Sequence, residues 1–237
     1  IPALTARNRS EVLKYLELIA PEVKSTASAN YIAFNNGIYN LETEKLEEFN
    51  PSIIVKNKIA HDYNYDAYNE AMDGMLDRIS CYDDHIRDLL EEMSGYCMYR
   101  RNELRKAFIL IGDKANGKST FLDCIANMLG GENVSSLDLN ELGDRFRTAE
   151  LFGKLVNVGD DIGDDFIPNP AVFKKVVSGD RLTVERKGQH PFDFNNYSKL
   201  LFSANNIPRS KDKTGAVLDR LVIVPFNANV SKKDKDY

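Results

Sequence analysis

The stretch Ala107-Phe-Ile-Leu-Ile-Gly-Asp-Lys-Ala-Asn-Gly-Lys-Ser-Thr120 decides the fold of this 237-residue chain. Its apolar half, Ala107 to Ile111, reads as a buried strand that delivers Gly112-x4-Gly117-Lys118-Ser119, a complete phosphate-binding loop. The two glycines let the backbone approach phosphate oxygens closely and turn its N–H groups inward. Lys118 can reach the β- and γ-phosphates as a point charge, and Ser119 can ligate Mg²⁺. Asp113, Lys114, Ala115 and Asn116 fill the loop. Thr120 follows in a helix read from Ser119 to Leu129, whose N-terminus favours anions. A nucleoside triphosphate with Mg²⁺ is the expected ligand.

Outward from this loop, short apolar runs alternate with helical stretches: Lys154 to Val158, Lys199 to Ser203 and Leu221 to Pro225. That pattern predicts an α/β domain with a covered sheet. The first of these runs leads into Asp160 and Asp161. One acid would hold the metal and the other would orient or deprotonate the attacking water, although Asp-Asp also suits a plain turn. Which acid does which stays open, and Asp164 and Asp165 widen the choice. The next run ends at Asn205, a neutral amide able to bond both γ-phosphate and lytic water without competing for Mg²⁺; its alternative is a turn before Ile207-Pro208.

Between those runs, Phe173 to Phe194 alternates like a hairpin with Lys187-Gly188 near its tip. A basic tip suits a phosphate backbone, which makes Lys174, Lys175, Arg186 and Lys187 candidate DNA contacts; the plain alternative is a solvated hairpin. Arg220, just ahead of Leu221, could neutralise charge on a neighbouring subunit's γ-phosphate, or simply pair with Asp219.

Composition narrows the class. A 43% hydrophobic content supports a sizeable core. Residues 41–92 carry 5 Lys/Arg against 14 Asp/Glu and residues 171–237 carry 13 against 7, so the net charge of -5 conceals a basic C-terminal portion. No apolar stretch approaches the length of a membrane span and no signal-peptide core is visible, which predicts a cytoplasmic protein without a membrane partner. Cys81, Cys97 and Cys124 read as reduced structural thiols, and His61, His85 and His190 are scattered, so no metal cluster is expected among them. The absent start methionine and the charged ending suggest a piece of a longer protein.

Residues 1–95 read as a smaller, mostly helical region. A helix from Ser10 to Ile19 stops at Pro21, a hairpin spans Ile32 to Phe49 around Asn36-Gly37, and two helices between Tyr65 and Met98 join near Tyr82. Residues 96–237 then form the nucleotide-binding domain.

Taken in order, the loop at Gly112 to Thr120, the acids Asp160 and Asp161, the basic motif Lys174, Gly179 and Lys187, the polar motif at Asn205 and Arg220 resemble the superfamily 3 helicases. The match is closest to the helicase half of phage and plasmid primase-helicases of the P4/D5-like type. Residues 1–95, with Asn35-Asn-Gly-Ile-Tyr-Asn-Leu41, look like the D5 N-terminal region. The resemblance implies an AAA+-like P-loop fold and a homo-oligomeric, hexameric ring with ATP at subunit interfaces. Arg220 would be the arginine finger, hairpins would line a channel that pulls single-stranded DNA, and the setting would be the bacterial host cytoplasm if phage-encoded. The adjacent Asp pair departs from the lone Glu or Asp-Glu of many relatives, and no primase residues are visible. A non-unwinding ATPase switch is the alternative reading. A small-acceptor phosphotransferase is disfavoured, because it leaves the basic hairpin and Asn205 without a role.

Overall fold

The computed structural model describes residues 5–19, 28–162, 167, 169–209, 212 and 214–229, with the side chains of residues 17 and 160–162 outside the described atoms. Before residue 100 it contains α1 (Ala6–Ile19), β1 (Tyr31–Phe34), β2 (Gly37–Asn40), β3 (Lys45–Glu47), α2 (Glu70–Ile79) and α3 (Asp84–Met98). Next come β4 (Ala107–Ile111), α4 (Lys118–Leu129), β5 (Val134–Ser135), β6 (Val156–Ile162) and α5 (Pro170–Ser178). The last elements are β7 (Arg181–Val184), β8 (Phe192–Asn195), β9 (Lys199–Ala204) and β10 (Leu221–Pro225).

The central sheet has five parallel strands in the order β10-β4-β9-β6-β5. Strands β4 and β9 are buried along nearly their whole length rather than on alternate residues, because helices or loops cover both faces. Successive residues of β4 still divide between two cores. Ala107 and Ile109 pack with Leu200, Phe202, the α5 residues Phe173 and Val176, and Leu182 and Phe194 of the β7–β8 hairpin. Phe108 and Leu110 face Phe121 and Ile125 of α4, Leu76 and Ile79 of α2, and Leu90 and Met93 of α3. Residues on either side of position 95 therefore share one continuous core.

Several elements differ from the sequence expectation. The hairpin read from Ile32 to Phe49 is a three-stranded antiparallel meander whose first connection is Asn35–Asn36. Gly37 opens β2 where a Cβ would lie 2.6 Å from the Glu47 carbonyl oxygen. Strand β6 runs later than Lys154–Val158, so Asp160 and Asp161 lie on the strand rather than beyond it. The hairpin expected over Phe173 to Phe194 is half helix. Asn169 caps α5 by accepting from Val172 N, Pro170 occupies its first turn, and Gly179 at φ 72° ends it in a left-handed turn. Lys174 and Lys175 consequently ride on a helix, and only residues 181–195 form the ribbon.

One buried cation locks the sheet to its surroundings. Lys199, only 1% exposed, opens the central strand β9. Its ammonium donates to the carbonyls of Tyr99, Arg101 and Tyr197 and lies 4.5 Å from the centre of the Tyr96 ring. The C-terminal end of α3 is thereby tied to the strand that leads to Asn205. Burial pushes the Lys199 ammonium down to about 7, against the opposing pull of Cys97 and Glu103. The same burial pushes the Cys97 thiol up to about 12. A depressed lysine leaves the unfolded chain binding more protons than the folded one between pH 7 and its ordinary 10.5, so stability rises with pH across that window. Cys97, raised from 9.0, opposes the gain only above pH 9. The urea midpoint should therefore increase from pH 7 to pH 9, and the Lys199→Met chain should show a flatter rise over the same interval.

Candidate nucleotide site and nucleic-acid interface

The phosphate loop is shaped by its contacts as much as by its glycines. Gly117 caps the start of α4 at φ 91°, and a Cβ there would stand 2.6 Å from Ile79 Cγ2 at the end of α2. Ala115 is also left-handed, at φ 59°. Asn116, buried, donates to the Phe226 carbonyl oxygen at 2.7 Å and accepts from Lys118 at 3.1 Å. The Lys118 ammonium also donates to the carbonyls of Gly112 and Asp113, at 2.5 and 2.8 Å. A cation drawn inside a left-handed, glycine-bounded loop at a helix start fits the triphosphate of a nucleotide. Asp113, Lys114, Ala115, Ser119 and Thr120 are exposed on its rim.

Parallel register brings the other motifs to this edge of the sheet. Gly112 N donates to the Ala204 carbonyl oxygen at 3.2 Å, so the loop begins one residue away from exposed Asn205. On the far side of β9, Ile162 also pairs with Ala204, while Gly159 pairs with Phe202. Three steps along β6 thus match two along β9, a bulge that falls on Asp160 and Asp161. Their backbone reaches the carboxyl edge beside the loop, while their side chains, like all of Asp164 and Asp165, lie outside the described atoms. Gly159, just before the bulge, packs so closely that a Cβ would meet the Phe202 ring at 2.5 Å.

The basic residues lie elsewhere. Lys187 and Arg186 are exposed on the loop between β7 and β8, where Gly188 turns at φ 79°. Arg186 is stacked, 5.4 Å from the centre of the Phe192 ring and 5.8 Å from that of Phe152. Glu185 on the same loop accepts from Arg145 at 2.8 Å. Lys175 is exposed on α5, whereas Lys174 pairs with Asp212 at 3.4 Å. Arg220 directly precedes β10, whose Leu221 pairs with Ala107 and Pro225 with Ile111. It sits at the amino end of the strands, roughly 15 Å of strand away from the phosphate loop. Its guanidinium donates to the Ala216 carbonyl at 2.7 Å and to Ser178 Oγ at 3.3 Å.

Some residues escaped the sequence reading. Asn116 occupied an unconstrained position of the loop pattern, yet it fastens the loop to the chain after β10. The aromatic support of Arg186 comes partly from Phe152, distant in sequence. A cleft of about 400 Å³ at the amino edge of the sheet is lined by Arg100, Arg101 and Arg105 together with Ser178 and Asn195. The basic run Arg100-Arg-Asn-Glu-Leu-Arg-Lys106 was the visible signal for it.

Comparison with known proteins places the chain among viral relatives. Residues 1–95 match the family described as D5 N terminal like, and residues 110–220 match a family of unknown function, DUF5906. Protein 184R of Invertebrate iridescent virus 6, named as a helicase, is 25% identical over 223 residues, covering 86% of this chain and 23% of its own length. Protein V13 of Sputnik virophage, also named as a helicase, is 24% identical over 220 residues, covering 85% of this chain and 27% of its own. The apo C-terminal region of NrS-1 superposes with a TM-score of 0.59 at 17% identity, covering 97% of this chain and 54% of that one. Residues 1–95 thus carry a D5-like N-terminal region, and the chain as a whole is similar to helicase-named viral proteins. Its D5-like part supplies α2, whose Ile79 abuts the phosphate loop, so the two matched regions meet at the candidate site. The chain spans about a quarter of the length of these curated relatives. Among the described residues no helix is long and apolar enough to cross a membrane.

Gly117→Ala combines left-handed strain of about 1–2 kcal/mol with the clash against Ile79. It should lower the melting temperature and weaken nucleotide binding. Adding Ile79→Ala should recover part of the binding by relieving the clash, as measured by calorimetric titration with ATP.

Proposed function

We propose that this chain is the ATP-hydrolysing core of a DNA helicase or translocase that works as a ring. The observation that carries this reading is the convergence of the Gly112–Thr120 loop, the β6 bulge and Asn205 at one edge of a parallel sheet, with Arg220 at the opposite edge. An arginine at the far edge is badly placed for its own nucleotide and well placed for a neighbour's, which supports interfacial sites and a homo-oligomer, with the hexamer of the resembled family as the expected form. The helicase names of the viral relatives support the same activity.

In this reading Lys118 binds the β- and γ-phosphates, and Asn205 orients the attacking water against the γ-phosphate. One of Asp160 and Asp161 accepts the proton of that water. Ser119 and Asp160 would hold Mg²⁺, which neutralises phosphate charge when bound. Arg220 stabilises the charge that develops on the neighbour's γ-phosphate. Lys187 and Arg186, presented on the hairpin loop, grip the backbone of single-stranded DNA without reading its sequence, and Lys175 adds charge from α5. Lys174 would first have to leave Asp212 before contributing. Closure of the interface around ATP, and its release after hydrolysis, would move the hairpin along the strand.

Steady-state ATP hydrolysis with and without single-stranded DNA tests this. DNA should stimulate turnover, Lys118→Ala should abolish it, and Lys187→Ala should keep basal turnover while losing the stimulation. Hydrolysis indifferent to DNA in a verified ring would instead favour a non-unwinding switch. Mixing Arg220→Ala with Lys118→Ala subunits should restore part of the activity at hybrid interfaces; no recovery in verified mixed rings would place the arginine outside the trans role.

A further inference from the structure

We infer that the turn between α2 and α3, and Tyr82 in particular, forms the surface on which the base of the bound nucleotide stacks. This rests on the nucleotide-binding reading of the phosphate loop and extends it into the D5-like part of the chain. The strand order supplies the direction. The Asp160–Asp161 bulge and Asn205 follow β6 and β9, which both lie on one side of β4. The γ-phosphate end of a nucleotide seated in the loop faces those groups, so its nucleoside end leaves on the other side, toward β10.

Two neighbours outside the β6 and β9 motifs back the loop. Phe226, directly after β10, accepts from Asn116 and sets its ring 6.0 Å from that of Phe121. Ile79 lies against Gly117 and belongs to the same buried cluster as Phe226 and Val224. Immediately beyond Ile79 the chain reverses through Ser80–Asp83, with Cys81 and Tyr82 both left-handed at φ 56° and 58°. Two successive non-glycine residues in this conformation are unfavourable and persist only where surrounding contacts impose them. Here Cys81 N donates to the Arg78 carbonyl and Tyr82 N to the Asp77 carbonyl, at 3.1 and 2.8 Å. Asp83 caps α3 through His85 N and Ile86 N, and Arg87 of α3 holds Asp73 and Asp77 of α2. The turn is tied down by these contacts, yet it presents an aromatic side chain that is 74% exposed, three residues from the phosphate loop's contact. A solvent-facing ring on a backbone held in place beside the loop is a surface on which a purine or pyrimidine base can stack.

The test compares the binding of ATP with that of inorganic tripolyphosphate, which has no base, by calorimetry. Tyr82→Ala should weaken ATP about tenfold and leave tripolyphosphate unchanged, and Tyr82→Phe should retain ATP affinity. Unchanged ATP affinity in Tyr82→Ala, or equal weakening of both ligands, would overturn the inference. Lys118→Ala serves as the independent control of the loop and should weaken both ligands. If it does while Tyr82→Ala is silent, only the base surface falls; a parent chain that binds neither ligand removes the nucleotide reading and this inference with it.

Discussion

The hydrogen bond from Gly112 N to the Ala204 carbonyl is the constraint on which the site depends. It continues the parallel ladder of β4 and β9 one step past the last paired residues, so the phosphate loop and the segment carrying Asn205 leave the sheet together. The same Ala204 is the partner of Ile162 on β6, which brings the acidic bulge to the same height. Three motifs scattered over some hundred residues of sequence thus converge through one register. A slip of one residue in β9 would turn its side chains to the opposite core and separate the motifs as well.

Around that register, the site is held by groups whose chemistry is structural. Asn116 and Phe226 tie the loop to the chain after β10, Ile79 backs Gly117, and Lys199 anchors the start of β9 in a cage of carbonyls. These contacts come from α2, the α3–β4 linker and the far edge of the sheet. Preorganisation here belongs to the whole chain, because an ordered phosphate loop needs partners on every side.

Much of this was legible in the sequence where a local rule dominates. β4 and β10 coincide with their apolar runs, because a strand covered on both faces leaves an unbroken hydrophobic signature. The Gly117-Lys118 signature located the loop, and the Lys187-Gly188 tip fell on the β7–β8 connection. The misses have physical causes. Phe173 to Ser178 is short enough that an apolar pattern suits either period, and the Asn169 cap, Pro170 and Gly179 were the signals that should have decided for helix. β5 has two residues, too few to show any period. The partners of Lys174 and Arg186, and the contact of Ile79 with the loop, are long-range contacts that no local pattern encodes.

The core that runs without interruption across residue 95 has a consequence for how such a chain can be cut or recombined. Leu90, Met93 and Cys97 of α3 are as deeply enclosed as the strands they cover, and α3 shares its buried side with α4 and β4. An excision between α3 and β4 would remove the α2–α3 part of the cover on one side of the sheet and expose apolar side chains of α4 and β4 to water. The sequence families divide near this point, but the molecule does not. A graft of the D5-like segment or of the sheet domain onto a foreign neighbour must therefore reproduce this shared wall before it can reproduce any chemistry.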